Sequence, residues 1–503
     1  MKKLILTSLL PALFAFAALA QDPYPGLTII SLRTSTDSYL IDMDQNVVKT
    51  WHGADVPTEF AYMLPDSSVL RPCRVPAADG RGGRIQRIDA NDVVVWDYLF
   101  FDYLYLQHHD IQPMPNGNVL VVAWERRTLE EGIQAGRQVI EDNMKPTYLA
   151  EIQPVGATGG NVVWEWRIWD HLVQDADPTK DNYGVVADHP ELLDINFGDV
   201  ATGTWLHVNA IDYNEELDQI VFCSRATSEV YVVDHSTTTE EAAGHEGGRW
   251  GHGGDLLYRW GNPQVYGRGD AEDQVIWSAH GAIWIDEDLP GAGNIMVFNN
   301  GDHPSDVDDM SSVEEILPPQ SEPGVYILEP GQAYGPTEAV WRYGDRPDFF
   351  SKYFGGAYRM PNDNTLICEG MEGRVFEVNR DGTIVWVFLG EAAIHRTPRY
   401  WPAVTAVPGA PPASRLTGNH PNPFNPATTI AFAVEREQRV TISVFDVEGR
   451  RIATLTDQAY GPGFHSVQWT GLDAAGRAVP SGTYLVQMET GDGAEARKIS
   501  LVR

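Results

Sequence analysis

One pattern recurs through the middle of this chain and restricts its fold more than any other feature. An acidic or polar turn is followed by a β-prone run that ends in tryptophan. The copies are IDMDQNVVKTW (Trp51), IDANDVVVW (Trp96), IQPVGATGGNVVW (Trp164), a longer version ending GGDLLYRW (Trp260), LEPGQAYGPTEAVW (Trp341) and VNRDGTIVW (Trp386). A second unit, a turn followed by an apolar strand, alternates with it: LPDSSVLRPC, MPNGNVLVVAW, YNEELDQIVFC, LPGAGNIMVFN and MPNDNTLIC. The runs are short, rich in Val, Ile, Tyr and Trp, and bounded by Gly, Asn, Asp and Pro, as strands and their turns require. Each repeat supplies about four strands. Six four-stranded repeats describe a β-propeller, so the expected fold class is all-β with a six-bladed propeller. The tryptophans are expected to pack between neighbouring blades. The interval from Trp164 to Trp260 is long, and DHLVQDADPTKDNYGVVADHPELLDINFGD within it reads as an ordered insertion on which a site can be built.

The two ends differ from this middle. Lys2 and Lys3, the apolar run Leu4 to Leu19 and Ala18-Leu19-Ala20 form a secretory signal peptide over residues 1–20, with cleavage before Gln21. No later stretch approaches the ~20 apolar residues a bilayer span needs. The expectation is therefore an exported protein, periplasmic, secreted or held at the cell surface, with no transmembrane anchor. After the propeller region (21–401), the Pro/Ala-rich segment 402–414 reads as a linker. Residues 415–503 alternate apolar and polar positions in TTIAFAV, RVTISVFDV, HSVQWTG and GTYLVQME, which predicts a small Ig-like β-sandwich.

Charge and cysteine content exclude several functions. The formal net charge is −34, which repels phosphate backbones and argues against nucleic-acid binding. Leu416 to Arg503 carries nine acidic and eight basic residues, so the acidity belongs to the large domain. Cys73, Cys223 and Cys368 recur near the end of the second unit in three repeats and are expected to be small core side chains, not a disulfide set. The acidic loops at Asp302–Asp309 and GDAEDQ lack the ligand spacing of a calcium hand.

Three histidine-led strings precede copies of the second unit: HHDIQPMPNGN (His108, His109), WLHVNAIDYN (His207) and SAHGAIWIDED (His280). Propellers arrange the starts of their inner strands around an axis, so His109, His207 and His280 are expected to converge there. Arg225, in FCSR, adds a permanent cation able to hold an oxyanion, and Asn209 lies two residues from His207 on the same strand face. Three histidines, an arginine and an asparagine suit a tetrahedral anion and leave an imidazole free as nucleophile, acid or base. Two rival readings are a metal-dependent hydrolase using these histidines as ligands and a non-catalytic surface propeller that binds a partner. Arg225 disfavours the first, since a cation beside a dication is costly.

From about Pro23 to Val387 the chain resembles the bacterial arylsulfate sulfotransferase family. The resemblance rests on YLIDMDQNVVKTWHG, HHDIQPMPNGNVLVVAWER, TWLHVNAIDYNEELDQI, GGDLLYRWGNPQ, LPGAGNIMVFNNGDHP and NTLICEGMEGRVFEV taken together. It implies a six-bladed propeller that moves a sulfuryl group from a phenolic sulfate ester to a phenol, without a nucleotide donor, a metal or another cofactor. The family's nucleophilic histidine, which becomes a sulfohistidine, matches His280. Its His-x-Asn pair matches His207 and Asn209, and its sulfuryl-binding arginine matches Arg225. Its first channel histidine matches the His108–His109 pair, with the repeat register favouring His109 and His108 kept as a substrate contact. The tail, through HPNPFNPATTIAF, VFDVEGRRIATL and DAAGRAVPSGTYLVQME, resembles the C-terminal Ig-like sorting modules of exported bacterial proteins, relatives of the flagellar hook-capping Ig-like domain. That implies surface display or type IX-like secretion, with contact to secretion machinery.

Overall fold

The computed structural model describes residues 22–76, 82–140, 142–198, 203–302, 309–344, 347–401, 414–420, 424–434, 436, 438–447, 449–461, 463–491 and 493–502. The expected signal peptide (1–20) and all of the expected linker (402–414) except Ser414 lie outside them. The described chain is all-β apart from short helical turns.

Alternating polar turns and apolar runs fold as antiparallel meanders. Sheet two contains Tyr62–Met63, Val69–Arg74, Gly83–Ile88 and Val94–Leu99. Sheet three contains Tyr105–Pro113, Val119–Glu125, Thr147–Val155 and Gly159–Arg167, and sheet four Val208–Asn214, Gln219–Ser224, Glu229–Asp234 and Tyr258–Trp260. Sheet five contains His280–Trp284, Ile295–Asn299, Ser312–Ile316 and Trp341–Tyr343, and sheet six Gly356–Arg359, Thr365–Glu369, Arg374–Val378 and Ile384–Leu389. Sheet one joins the two ends of this region. Its strands Leu27–Ile30, Ser38–Ile41 and Val47–Trp51 are completed by Arg399–Tyr400, which pairs with Leu27 and Thr28.

The repeat tryptophans explain how the sheets associate. Each stands on the fourth strand of its sheet, and most are buried. A buried indole N–H needs an acceptor, and the next sheet provides it. Trp96 donates to the Gly159 carbonyl (2.9 Å), Trp164 to Thr237 Oγ1 (3.1 Å), Trp260 to the Pro336 carbonyl (2.7 Å) and Trp341 to the Arg380 carbonyl (3.0 Å). Trp386 donates to the Met43 carbonyl at 2.9 Å, returning from sheet six to sheet one. Trp51 packs against Phe60, Met63 and Val69 of the following segment instead. The arrangement is propeller-like, and the sheet-to-sheet order is cyclic.

Between sheets three and four, the described residues 168–198 and 203–207 pack into the core. Leu172, Leu193, Ile195, Trp205 and Leu206 join Trp164 and Trp166 in one core. Cys73, Cys223 and Cys368 are free and buried, on the second strands of sheets two, four and six. Burial pushes the Cys73 thiol up to about 11 and the Cys223 thiol to about 12. The C-terminal residues form a three-stranded and a four-stranded sheet around Phe432, Val440, Ile442, Trp469 and Val486, the two-layer plan the alternation predicts.

Candidate active site

Backbone irregularity at the inner strands sets the site. Pairing shifts register between Gln107 and Ile111, between Val208 and Ala210, and between His280 and Ile283. Bulges of this kind re-aim side chains. His109 and His207 both adopt left-handed backbone with φ 52°, a conformation few non-glycine residues take and one that clusters at functional sites. In the third bulge that conformation falls to Gly281 (φ 61°), where a Cβ would stand 2.7 Å from the Gly355 carbonyl. Only glycine lets His280 approach sheet six so closely.

The expected histidines come together. The rings of His109 and His207 meet edge to face with centroids 4.9 Å apart. His109 is partly exposed, whereas His108 is buried behind it, stacked on Trp124 at 4.1 Å. Their Nδ1 atoms lie 2.7 Å apart. One proton must lie between two such nitrogens, so a hydrogen on His109 Nδ1 frees its Nε2 as a base, and a hydrogen on His108 Nδ1 leaves His109 Nε2 carrying one. Burial holds the His109 pKa well below the ordinary imidazole value, and His207, His108, His395 and His280 lower it further.

His280 is buried, with a tautomer fixed by its neighbours. Its Nδ1 faces Asn300 Oδ1 at 2.7 Å and the Ser278 carbonyl at 3.0 Å. The Asn300 amide cannot flip, because its Nδ2 donates to the carbonyls of Ser351 (2.7 Å) and Phe354 (2.9 Å). Both groups at Nδ1 are acceptors, so Nδ1 carries the hydrogen and Nε2 keeps its lone pair. Burial pushes the His280 pKa down to about 3, against the Asn300 hydrogen bond, with His207 and Arg225 lowering it as well. The ring is neutral at any ordinary pH.

Arg225 is held by Asp302 at 3.3 Å and lies 5.1 Å from the Tyr353 ring, and its backbone N–H donates to the His207 carbonyl at 3.3 Å. Lys352 shares Asp302 at 3.2 Å. Asn209, expected as a substrate contact, is buried between sheets four and five. Its Nδ2 donates to the Ala279 carbonyl (2.9 Å) and its Oδ1 faces the Cys223 thiol (3.1 Å). Its amide therefore positions the residue before His280.

Several residues of the site escaped the sequence reading. Asn300 is one. Phe354, at φ 62°, lies 6.3 Å from the His280 ring and 4.0 Å from that of His395, beneath the Arg33 guanidinium at 4.4 Å. His395 sits 3.2 Å from Glu59. Burial pushes Glu59 up to about 8 and His395 well below its ordinary value, so the pair is neutral. The next residue, Arg396, pairs with Asp110, and Tyr62 hydrogen-bonds both at 3.0 Å. This layer links sheets two and three to the closing segment. Among the described residues, the metal-ligating side chains that converge are His171, His245 and Asp255, away from these histidines.

Comparison with known proteins identifies the family. Residues 84–387, more than half of the chain, match the arylsulfotransferase (ASST) family, and residues 424–494 match the FlgD Ig-like domain. The chain belongs to the arylsulfotransferase family, and aryl sulfotransferase activity in general terms follows from that membership. A search among curated proteins found no match. Similar solved structures include a protein of unknown function from Bacteroides caccae (12% identity, 74% of this chain and 98% of that one, TM-score 0.41). Another is periplasmic gluconolactonase from Pseudomonas aeruginosa (12% identity, 88% and 99%, TM-score 0.36), and a third is virginiamycin B lyase from Staphylococcus aureus (10% identity, 74% and 86%, TM-score 0.35). No helix among the described residues is long and apolar enough to cross a membrane.

Proposed function

We propose that this protein is a six-bladed propeller that transfers a sulfuryl group from an aryl sulfate ester to a phenol through a sulfohistidine at His280. The observation that carries the reading is the fixed tautomer. Asn300 and Ser278 hold the hydrogen on Nδ1, so the Nε2 lone pair is free in a ring too deeply buried to protonate. That is a nucleophile ready without prior deprotonation.

Nε2 attacks sulfur, the N–S bond forms, and the S–O bond to the aryl group breaks. Its electron pair leaves on the phenolate oxygen. Arg225 and His207 stabilise the sulfuryl oxygens as charge spreads over them. The charge of the bound sulfate ester lets His109 take up a second proton, so that it carries hydrogens on both Nδ1, donated to His108 Nδ1, and Nε2. It gives the Nε2 hydrogen to the departing oxygen and is left a neutral ring with Nε2 free. In the second half, His109 Nε2 takes the acceptor's proton, the acceptor oxygen attacks sulfur, and the N–S electrons return to His280. Positive charge on the sulfated ring is met by the Asn300 and Ser278 oxygens at Nδ1–H. Neutral imidazoles suit this sequence, because the incoming sulfate brings the negative charge that raises the basicity of His109 when it is needed.

The same reading makes 21–401 the catalytic domain and 415–503 an Ig-like sorting module on an exported protein, with 402–414 as the tether. Intact mass of the full chain, mixed with an aryl sulfate and no acceptor, tests the chemistry. The expected result is a gain of one sulfuryl group, removed on adding a phenol. An unmodified mass during turnover would refute the covalent histidine.

A further inference from the structure

A second cluster, on the ordered insertion and its return loop, has a proton-counting problem that points to a ligand. His171 is buried, and its Nε2 faces the Ala242 carbonyl at 2.9 Å. A carbonyl only accepts, so Nε2 carries the hydrogen. In a neutral ring Nδ1 then has a lone pair, yet it faces Asp255 Oδ1 at 2.8 Å. A second imidazole nitrogen, His245 Nδ1, converges on the same oxygen at 2.8 Å. The three ligand atoms lie within 4.8 Å of one another. Something positive must stand between them. His245 meets the oxygen by carrying its own hydrogen on Nδ1, whereas His171 has its hydrogen committed at Nε2. The His171 contact is satisfied either by an added proton or by a metal ion shared among the three ligands.

We propose that His171, His245 and Asp255 bind a zinc ion that fastens the loop 244–255 to the turn at 168–171. Two imidazoles and one carboxylate are borderline donors that suit zinc better than the oxygen-seeking calcium or magnesium. Zinc bonds of roughly 2.0–2.2 Å place tetrahedral ligands about 3.4 Å apart, so the facing atoms need to open by only about half an ångström. The side chain of His245 is 59% exposed, which gives the ion an entry path and a water as fourth ligand. The supports around the ligands are those a metal site requires. The His171 Nε2–H is oriented by a carbonyl. Trp166 lies flat against the His171 ring (centroids 5.6 Å, 7°), and its indole donates to the Gly254 carbonyl at 2.7 Å. A Cβ on Gly254 would stand 2.0 Å from the Ala242 carbonyl and 2.6 Å from His171 Nε2, so a side chain there would close the cluster. The core beneath it includes Trp205 and Leu206, next to His207. The ion would stiffen the layer that carries a site residue without touching substrate.

Zinc titration of the chelator-stripped full chain by calorimetry, with cobalt absorption in the visible, tests the proposal. One ion per chain is expected, with a rise in melting temperature. His245→Ala, at an exposed position the fold does not need, should weaken binding by more than the ~100-fold typical of losing an outer-shell partner, and should remove the rise in melting temperature. His280→Ala should leave both intact. Absence of a stoichiometric site, or binding that survives His245→Ala, overturns the proposal and leaves the cluster to a proton on His171.

Discussion

Replacing Asn300 by alanine separates what that amide does for the nucleophile from what it does for the fold. In the proposed mechanism, positive charge grows on the ring as sulfur bonds to His280 Nε2, and the Nδ1–H bond to Asn300 Oδ1 at 2.7 Å becomes charge-assisted. Such bonds contribute about 1.5–3 kcal/mol, which at about 1.4 kcal/mol per decade is roughly a 10- to 150-fold loss in the rate of adduct formation. The Ser278 carbonyl, at 3.0 Å, still accepts the hydrogen, so the lower half of that range applies. Stability also falls, by about 2–4 kcal/mol, because the Ser351 and Phe354 carbonyls lose a donor. Asn300→Asp is the control. It loses the same two donors but keeps an acceptor at Nδ1, so it should melt early yet form adduct within about tenfold of wild type. Rapid-quench mass spectrometry with a nitrophenyl sulfate and no acceptor measures the adduct, and circular dichroism shows that each variant is folded. Equal adduct rates in the alanine and aspartate variants would refute the charge-assisted role.

Other expectations follow from the same geometry. His280→Ala should yield no adduct with any donor, whereas His109→Ala should lose about 10²–10⁴-fold with a phenyl sulfate and far less with a nitrophenyl sulfate, whose phenolate leaves unaided; equal losses with both would remove His109 from proton transfer. Arg225→Lys should lower kcat/KM for every donor, since an ammonium cannot replace the planar fork on two sulfuryl oxygens; near wild-type values would place sulfuryl binding elsewhere. The rate of adduct formation from a nitrophenyl sulfate should stay flat from pH 8 to about 5, because a pKa lowered to about 3 keeps His280 neutral throughout; a fall centred near the ordinary imidazole value would contradict its burial. Proteolysis within 402–414 should release a large fragment with full transfer activity; loss of activity on cleavage would show that the sandwich takes part.

The parts of this molecule legible in its sequence are those set by short-range rules. Strand periodicity and turn chemistry indicated about four strands per repeat, and the six tryptophans all fall on fourth strands; the strand Arg399–Tyr400 that closes sheet one carried no such signal. His109, His207 and His280 could be found because the repeat itself places them. The sequence left the His108–His109 choice open; the bulge answers it by turning His109 out and packing His108 on Trp124. Asn300 carried no sequence signal. Its partners Ser351 and Phe354 lie more than 50 residues away and reach it only once sheets five and six are adjacent. His395 and Glu59 are further apart still, and they meet because the chain's closing segment returns to sheet one. Asn209 was legible as a neighbour of His207, but its role was not, since the carbonyl it holds belongs to another sheet.

The strained and buried groups of the site have one physical consequence in common. Burial drives imidazoles towards the neutral form and carboxyls towards the protonated form. Here it does both. His280, His109 and His395 are held below their ordinary pKa, while Glu59 is pushed up to about 8 and Asp110 to about 6, and Asp212, on the first strand of sheet four and accepting from the Trp284 N–H at 2.8 Å, to about 7. Between about pH 5 and 6 the two sets act oppositely on stability. Each such imidazole binds a proton only on unfolding, so its contribution is present above the ordinary value and lost as pH falls. Each such carboxyl holds a proton that unfolding releases, so its contribution is present at low pH and lost as pH rises through its folded value. Three of each offset one another. A site with few net charges of its own therefore need not destabilise the fold in mild acid. In the proposed mechanism Arg225, paired with Asp302, is the cation directed at the sulfuryl group, and a protonated Glu59 adds no negative charge against an anionic substrate. That is the electrostatic condition under which a neutral histidine can act as a nucleophile towards a sulfate ester.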